Sequence, residues 1–178
     1  MGIKDIAGDN KKFLILVVLL LVVCILVITL QGSGMLSPIN SLPVVKETYD
    51  EPSDFIQKGV DYSVAVKTGF GDIVIDLYEN DAPRNVNSFL FLISQRYYEQ
   101  LTFHKVIKNF VIQAGDTKGD GTGNPGYTVG LENTSATFTD YSVGMANASQ
   151  FFIVLPGADK SAFNGKYTLI GKVIKGTA

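Results

Sequence analysis

Cysteine is almost absent from this chain. Cys24 is the only one in 178 residues, so no intrachain disulfide can form, and whatever part of the chain folds is held by packing. Cys24 lies inside an apolar run with Val23 before it and more apolar residues after it. That setting suits a small apolar side chain and not a lipid-modified N-terminus. Histidine is just as scarce. A single imidazole, His104, makes a metal site improbable and leaves no convincing Ser-His-Asp or Cys-His set, so neither a metal nor a cofactor is expected. Long basic runs are missing too, and the formal net charge is -2, which removes support for nucleic-acid binding. The glycines at 119, 121 and 123 are not followed by Gly-Lys-Ser/Thr opening a helix. Pro125-Gly126 imposes a turn instead, so this loop fits the border of a groove better than a phosphate cradle.

A long hydrophobic run stands near the start. Residues 1–12 are short and polar, and the stretch from Phe13 to Leu30 is almost uninterrupted apolar chain, close to the roughly 20 residues that span a bilayer core of about 30 Å. It reads as one N-terminal transmembrane helix. Lys4, Lys11 and Lys12 in front of it favour a cytoplasmic N-terminus and an extracytoplasmic remainder. The rival is a cleaved signal peptide, whose apolar core is usually about 7 to 15 residues, and which would leave a secreted protein. The length favours the anchor, while Gly32, Ser33 and Gly34 keep cleavage open. Residues 31–60 shift to Gly, Ser, Pro and Asn, with Pro38, Pro43 and Pro52 breaking regular structure, and read as a flexible linker on which Val44-Val45 and Phe55-Ile56 could dock.

Residues 61–178 read as one domain. Tyr62, Val64 and Val66 alternate with Ser63, Ala65 and Lys67, a turn follows at Gly69–Gly71, and Ile73, Ile75 and Leu77 alternate again, which predicts a hairpin with one apolar face. Pro83 and the spacing of Val86, Phe89, Leu90 and Ile93 predict a helix, with Asn80 or Asp81 as N-cap candidates. Phe103 to Asp116 then reads as strand, turn and strand. Lys105 shares a face with Phe103 and Ile107, His104 falls on the opposite face as a core or helix-contacting residue, and Val111 shares a face with Gln113. Val129 to Tyr141 is polar apart from Phe138, which packs inward. Val143 to Leu155 resumes strand character, Asn164-Gly165 is a hairpin turn signal, and a last strand follows from Tyr167.

The stretch Phe103-His104-Lys105-Val106-Ile107, the turn after it, and Phe110-Val111-Ile112-Gln113-Ala114-Gly115-Asp116 resemble the central signature of the cyclophilins, the peptidyl-prolyl cis-trans isomerases. Gly121-Thr122-Gly123, Met145 through Ile153, and Asn164 through Thr168 followed by Gly171-Lys172-Val173 match further blocks in the same order. The resemblance covers about Asp61 to the last residue. It implies a mainly β fold, an antiparallel barrel capped by helix, with proline-containing polypeptides as partners. By resemblance the catalytic positions are Lys105 and Gln113. Substrate-binding positions become Phe110, Val111, Gly121, Ala146, Asn147, Gln150, Phe152, Phe163 and Tyr167.

Several positions depart from the family pattern. Lys105 stands where the family has arginine, Val111 where it has methionine, Tyr167 where it has histidine, and Ala162 where many members have tryptophan. A longer loop usual between Asn147 and Ser149 is absent. The family pattern also continues past the point that Ala178 reaches, with a helix and a closing strand, so the expected barrel has an open edge and the chain reads as shortened. The functional expectation is a monomeric isomerase that assists folding of exported proteins by stabilising the twisted X-Pro amide. The alternative is a membrane-anchored module that binds proline segments with little or no catalysis, and Lys105 divides the two.

Overall fold

The computed structural model describes residues 48–177. The run from Phe13 to Leu30, Cys24 and residues 31–47 lie outside the described residues. Among the described residues no helix is long and apolar enough to cross a membrane.

Among the described residues the elements are β1 (Ser63–Thr68), β2 (Gly71–Leu77), the helix α1 (Pro83–Ser94), then β3 (Lys105–Ile107), β4 (Val111–Ala114), β5 (Ser142–Met145), β6 (Phe151–Val154), a short 3-10 helix (Lys160–Ala162) and β7 (Thr168–Lys175). All seven strands join one antiparallel sheet in the order β1-β2-β7-β5-β6-β4-β3. The two end strands do not pair with each other among the described residues. Among the described residues the architecture is therefore a curled half-barrel, mainly β with one α-helix. An apolar cavity of about 630 Å³ lies between β1, α1, the chain from Tyr98 to Phe103, and Phe151.

Register explains how this sheet separates its two faces. Val106, Ile112, Ile153, Val143, Gly171 and Leu77 are successive cross-strand partners. Directly opposed residues point the same way, so this row lies on the inner face. Around it pack Ile75, Met145, Phe151, Ile170 and Val173, together with Val86, Phe89 and Leu90 of α1. The helix thus buries the stripe its spacing predicts. Its other side carries Phe91 and Leu92 against Tyr97, Tyr127 and Ala148.

Two local expectations are corrected. The helix is not capped by Asn80 or Asp81: its N-cap is Ala82, with no side-chain cap. Its first free N–H groups are met from outside the helix, where Glu132 Oε1 accepts from Arg84 N at 3.1 Å and Oε2 from Asn85 N at 2.8 Å. The strand character read from Val143 to Leu155 resolves into β5 and β6, joined by a turn in which Ala146 N donates to Gln150 O at 2.8 Å. Asn164-Gly165 is not a hairpin turn, because β7 pairs with β2 and β5 and not with β6. Asn164 Oδ1 instead accepts from Phe138 N at 3.0 Å.

Residues 48–57, within the stretch read as a linker, lie against the domain. Tyr49 N donates to Pro125 O at 2.7 Å and its ring meets Phe91 edge-on at 5.1 Å. Asn87 Oδ1 accepts from Phe55 N and Ile56 N at 2.6 and 3.1 Å.

Candidate functional site

The period of two that fills the inner face with aliphatic residues sends their neighbours outward, and there the candidate residues meet. Lys105 opposes Gln113, Gln113 opposes Phe152, Phe152 opposes Gly144, and Gly144 opposes Leu169. Lys105, Gln113 and Phe152 therefore stand in one row across β3, β4 and β6. The tight turn behind this row places Asn109 at φ 56, a left-handed conformation that asparagine tolerates better than most residues. Lys105 is exposed and makes no ion pair among the described residues.

Beside the row the aromatic residues form a stack. Phe163 lies between Phe110 and Phe152, with centroids 5.2 and 5.4 Å away and the planes nearly parallel. Tyr167 meets Phe152 edge-on at 5.1 Å. Phe138 joins from the loop before β5, 5.5 Å from Phe163. Gly144 makes this possible: a Cβ there would come within 2.5 Å of Phe152 Cζ and 2.8 Å of Phe138 Cε1. Val111, Phe152 and Phe163 are buried beneath the surface, while Phe110 is half-buried and Tyr167 is 37% exposed. The surface offered to a ligand is thus made by Phe110 and Tyr167 over a rigid floor of rings.

The amides form the polar side. Gln113 Nε2 donates to Gln150 Oε1 at 2.8 Å. Gln150 is buried, and its Nε2 donates to Gly121 O at 3.1 Å and Gly123 O at 2.8 Å. Asn147 Oδ1 accepts from Ser149 N and Gln150 N at 2.9 and 2.7 Å, and its Nδ2 reaches Gly123 O at 3.3 Å. Ala146 and Gly121 are exposed on the two loops beside them. Of the amides assigned to catalysis or substrate binding, Gln113 is half-buried at the row, whereas Gln150 and Asn147 turn their amide nitrogens to the loop after β4.

That loop is held by Asp116, a residue without an assigned role in the pattern of the strands. The buried Asp116 carboxylate accepts from Lys118 N at 2.9 Å, from Gly121 N, and from Gly123 N at 2.9 Å. Burial opposes its ionisation, but these backbone donors and nearby His104 outweigh that and hold the carboxyl below its ordinary value. A Cβ at Gly123 would fall 1.9 Å from Asp116 Oδ1, so only glycine fits there. His104 is half-buried, with both ring nitrogens unpartnered among the described residues. Phe138 and Glu132 were also missed as contributors. Phe138 was legible only as an apolar residue in a polar stretch, and Glu132 carried no local signal.

A cation, an oriented amide and an apolar ring surface on one face can hold an extended, partly apolar peptide and place positive charge beside one of its amides. Among the described residues no group of three His, Cys, Asp or Glu could hold a metal ion.

Comparison with known proteins gives the family. Residues 63–178 match the family model described as cyclophilin type peptidyl-prolyl cis-trans isomerase/CLD. The chain is 38% identical over 128 residues to a Neurospora crassa peptidyl-prolyl cis-trans isomerase-like 1, covering 64% of this chain and 75% of the relative. It is also 38% identical over 125 residues to peptidyl-prolyl cis-trans isomerase B of Bacillus subtilis, covering 62% and 86%. A crystal structure of a Cryptosporidium parvum cyclophilin type peptidyl-prolyl cis-trans isomerase superposes with a TM-score of 0.61 at 31% identity, covering 66% of this chain and 80% of that one. A second structure of that protein, in the presence of the dipeptide Ala-Pro, gives a TM-score of 0.60 at 32% identity.

Proposed function

The chain belongs to the cyclophilin-type peptidyl-prolyl cis-trans isomerases, and from that premise we propose that it accelerates X-Pro rotation by placing the Lys105 ammonium against the twisted amide of an exported polypeptide. An X-Pro bond turns slowly because rotation breaks amide resonance, and uncatalysed it takes tens to hundreds of seconds. In the twisted form the prolyl nitrogen regains a lone pair. A cationic donor aimed at that nitrogen stabilises the twisted form more than either planar one, which is the condition for catalysis. No bond to the enzyme is made or broken.

The observation that carries this reading is the row of Lys105, Gln113 and Phe152 across three strands. It sets a charge, a backbone clamp and the ring floor at fixed spacing. The proline ring rests at Phe110 and Tyr167 over Phe163, and Gln113 holds the neighbouring backbone. Lysine delivers one charged donor from a flexible stem, where arginine would offer a planar fork. Losing one charge-assisted bond costs on the order of 1.5 to 3 kcal/mol, roughly ten- to more than a hundredfold in rate. The apolar run from Phe13 to Leu30, by its length and the lysines before it, supports placing the activity beside exported chains.

Exchange spectroscopy on an X-Pro peptide tests the role of Lys105. Faster cis-trans exchange with the wild-type chain, faster still with Lys105→Arg, is expected. Equal rates in the two forms would remove Lys105 from the chemistry.

A further inference from the structure

The polar network under Gln113 runs in one direction. Gln150 has both of its amide donor directions taken by Gly121 O and Gly123 O, so its amide cannot turn over without leaving two carbonyls facing an oxygen. Its Oε1 is therefore fixed toward Gln113, and Gln113 must answer with Nε2. This leaves Gln113 Oε1 without a hydrogen bond among the described residues, an acceptor on the face it shares with Lys105. The polarity of Gln113 is thus set by where the carbonyls of Gly121 and Gly123 point.

The N–H groups of the same two glycines are bound as well, which ties this loop to Asp116, while Thr122 N, in the peptide plane of Gly121 O, donates to Asp120 Oδ1 at 2.8 Å. Asp116 takes Gly121 N and Gly123 N on its two oxygens and Lys118 N beside them. We propose that Asp116 is a positioning residue for the isomerase site. Through the 117–123 loop and Gln150 it holds the Gln113 amide with its oxygen outward, so that Gln113 receives a peptide N–H. This rests on the reading of Gln113 as the substrate clamp and adds the residue that determines which way the clamp faces.

Asp116→Asn is the test, because it keeps shape while replacing one acceptor oxygen by a donor. That donor opposes the N–H of Gly121 or Gly123. With the full chain, the expected result is a dispersed protein spectrum in which the Gln113 side-chain amide protons lose their protection from solvent. KM for an X-Pro peptide rises roughly two- to tenfold, the loss of one hydrogen bond, while kcat stays within about twofold. Glu132→Gln serves as the control, since it loosens a separate network at the start of α1 and should leave KM and the Gln113 signals alone.

Two results would overturn the proposal: Gln113 signals and KM unchanged in Asp116→Asn, or the same KM change in Glu132→Gln. Should the Asp116 variant fail to fold, the wild-type chain still decides. Protected Gln113 amide protons with a measurable coupling across the bond to Gln150 support the relay, and freely exchanging ones refute it. Absence of isomerase activity in the wild-type chain would overturn the functional reading instead, a separate outcome because the amide signals do not depend on turnover.

Discussion

The inner and outer faces of the same strands are packed by different means. On β6, Ile153 points inward to aliphatic residues and α1, and Phe152, one position earlier, points outward to stacked rings. The inner face is continuous from Leu77 to Ile112 and ends at Val106, which is 66% exposed at the open edge of the half-barrel. The outer face finishes at the neighbouring residue, Lys105, with a charge. Both faces are hydrophobic in the middle and differ at their margin. Only the outer one ends in groups that can recognise a peptide backbone, so stability and recognition are carried by alternate residues of one strand.

If that division holds, a large inward loss should leave the outer face working. Ile153→Ala should cost about 2 to 5 kcal/mol of stability, read from urea unfolding, while isomerase activity per folded molecule stays near wild type. A fall in kcat/KM beyond the folded fraction would show that the two faces are not separate. The converse substitution is Lys105→Ala. It should leave the urea midpoint almost unmoved, since the side chain is exposed and makes no ion pair among the described residues, and lower kcat/KM by roughly ten- to a hundredfold.

The alternation that makes this contrast was legible in the sequence. Lys105 and Gln113 could each be placed on a face of its own strand by counting in twos, and the register, which that count does not supply, sets them opposite each other. The stripe of α1 was legible for the same reason, since periodicity records which side of an element is buried. What could not be read were the contacts that a side chain makes to distant backbone. Gln150 read as an amide free to bind a peptide, yet its donors go to Gly121 and Gly123, 29 and 27 residues away. The hairpin expected at Asn164-Gly165 failed likewise. A dipeptide reports a local turn, and strand order is decided by where the apolar faces close.

Glu132 gives the smallest effect and the sharpest version of the comparison, because it stabilises the fold from a stretch with no period at all. Its carboxylate accepts from Arg84 N, Asn85 N and Asn85 Nδ2, the last at 2.6 Å, and pairs with Arg84 Nε at 3.3 Å. Burial opposes its ionisation, yet the Asn85 and Arg84 bonds outweigh that and lower its folded pKa. A group whose folded pKa lies below its unfolded value, about 4.3 for Glu, adds stability above that value and loses it as pH falls through the folded one. Glu132→Gln should therefore cost about 0.5 to 2 kcal/mol near neutral pH, the usual worth of a helix cap. The gap between wild type and variant should close as pH is lowered below about 4.3, with kcat/KM unchanged at neutral pH. A gap that stays constant with pH would mean that Glu132 acts through its shape and not its charge. A change in kcat/KM would instead tie the start of α1 to the outer face, joining two regions that the register keeps apart.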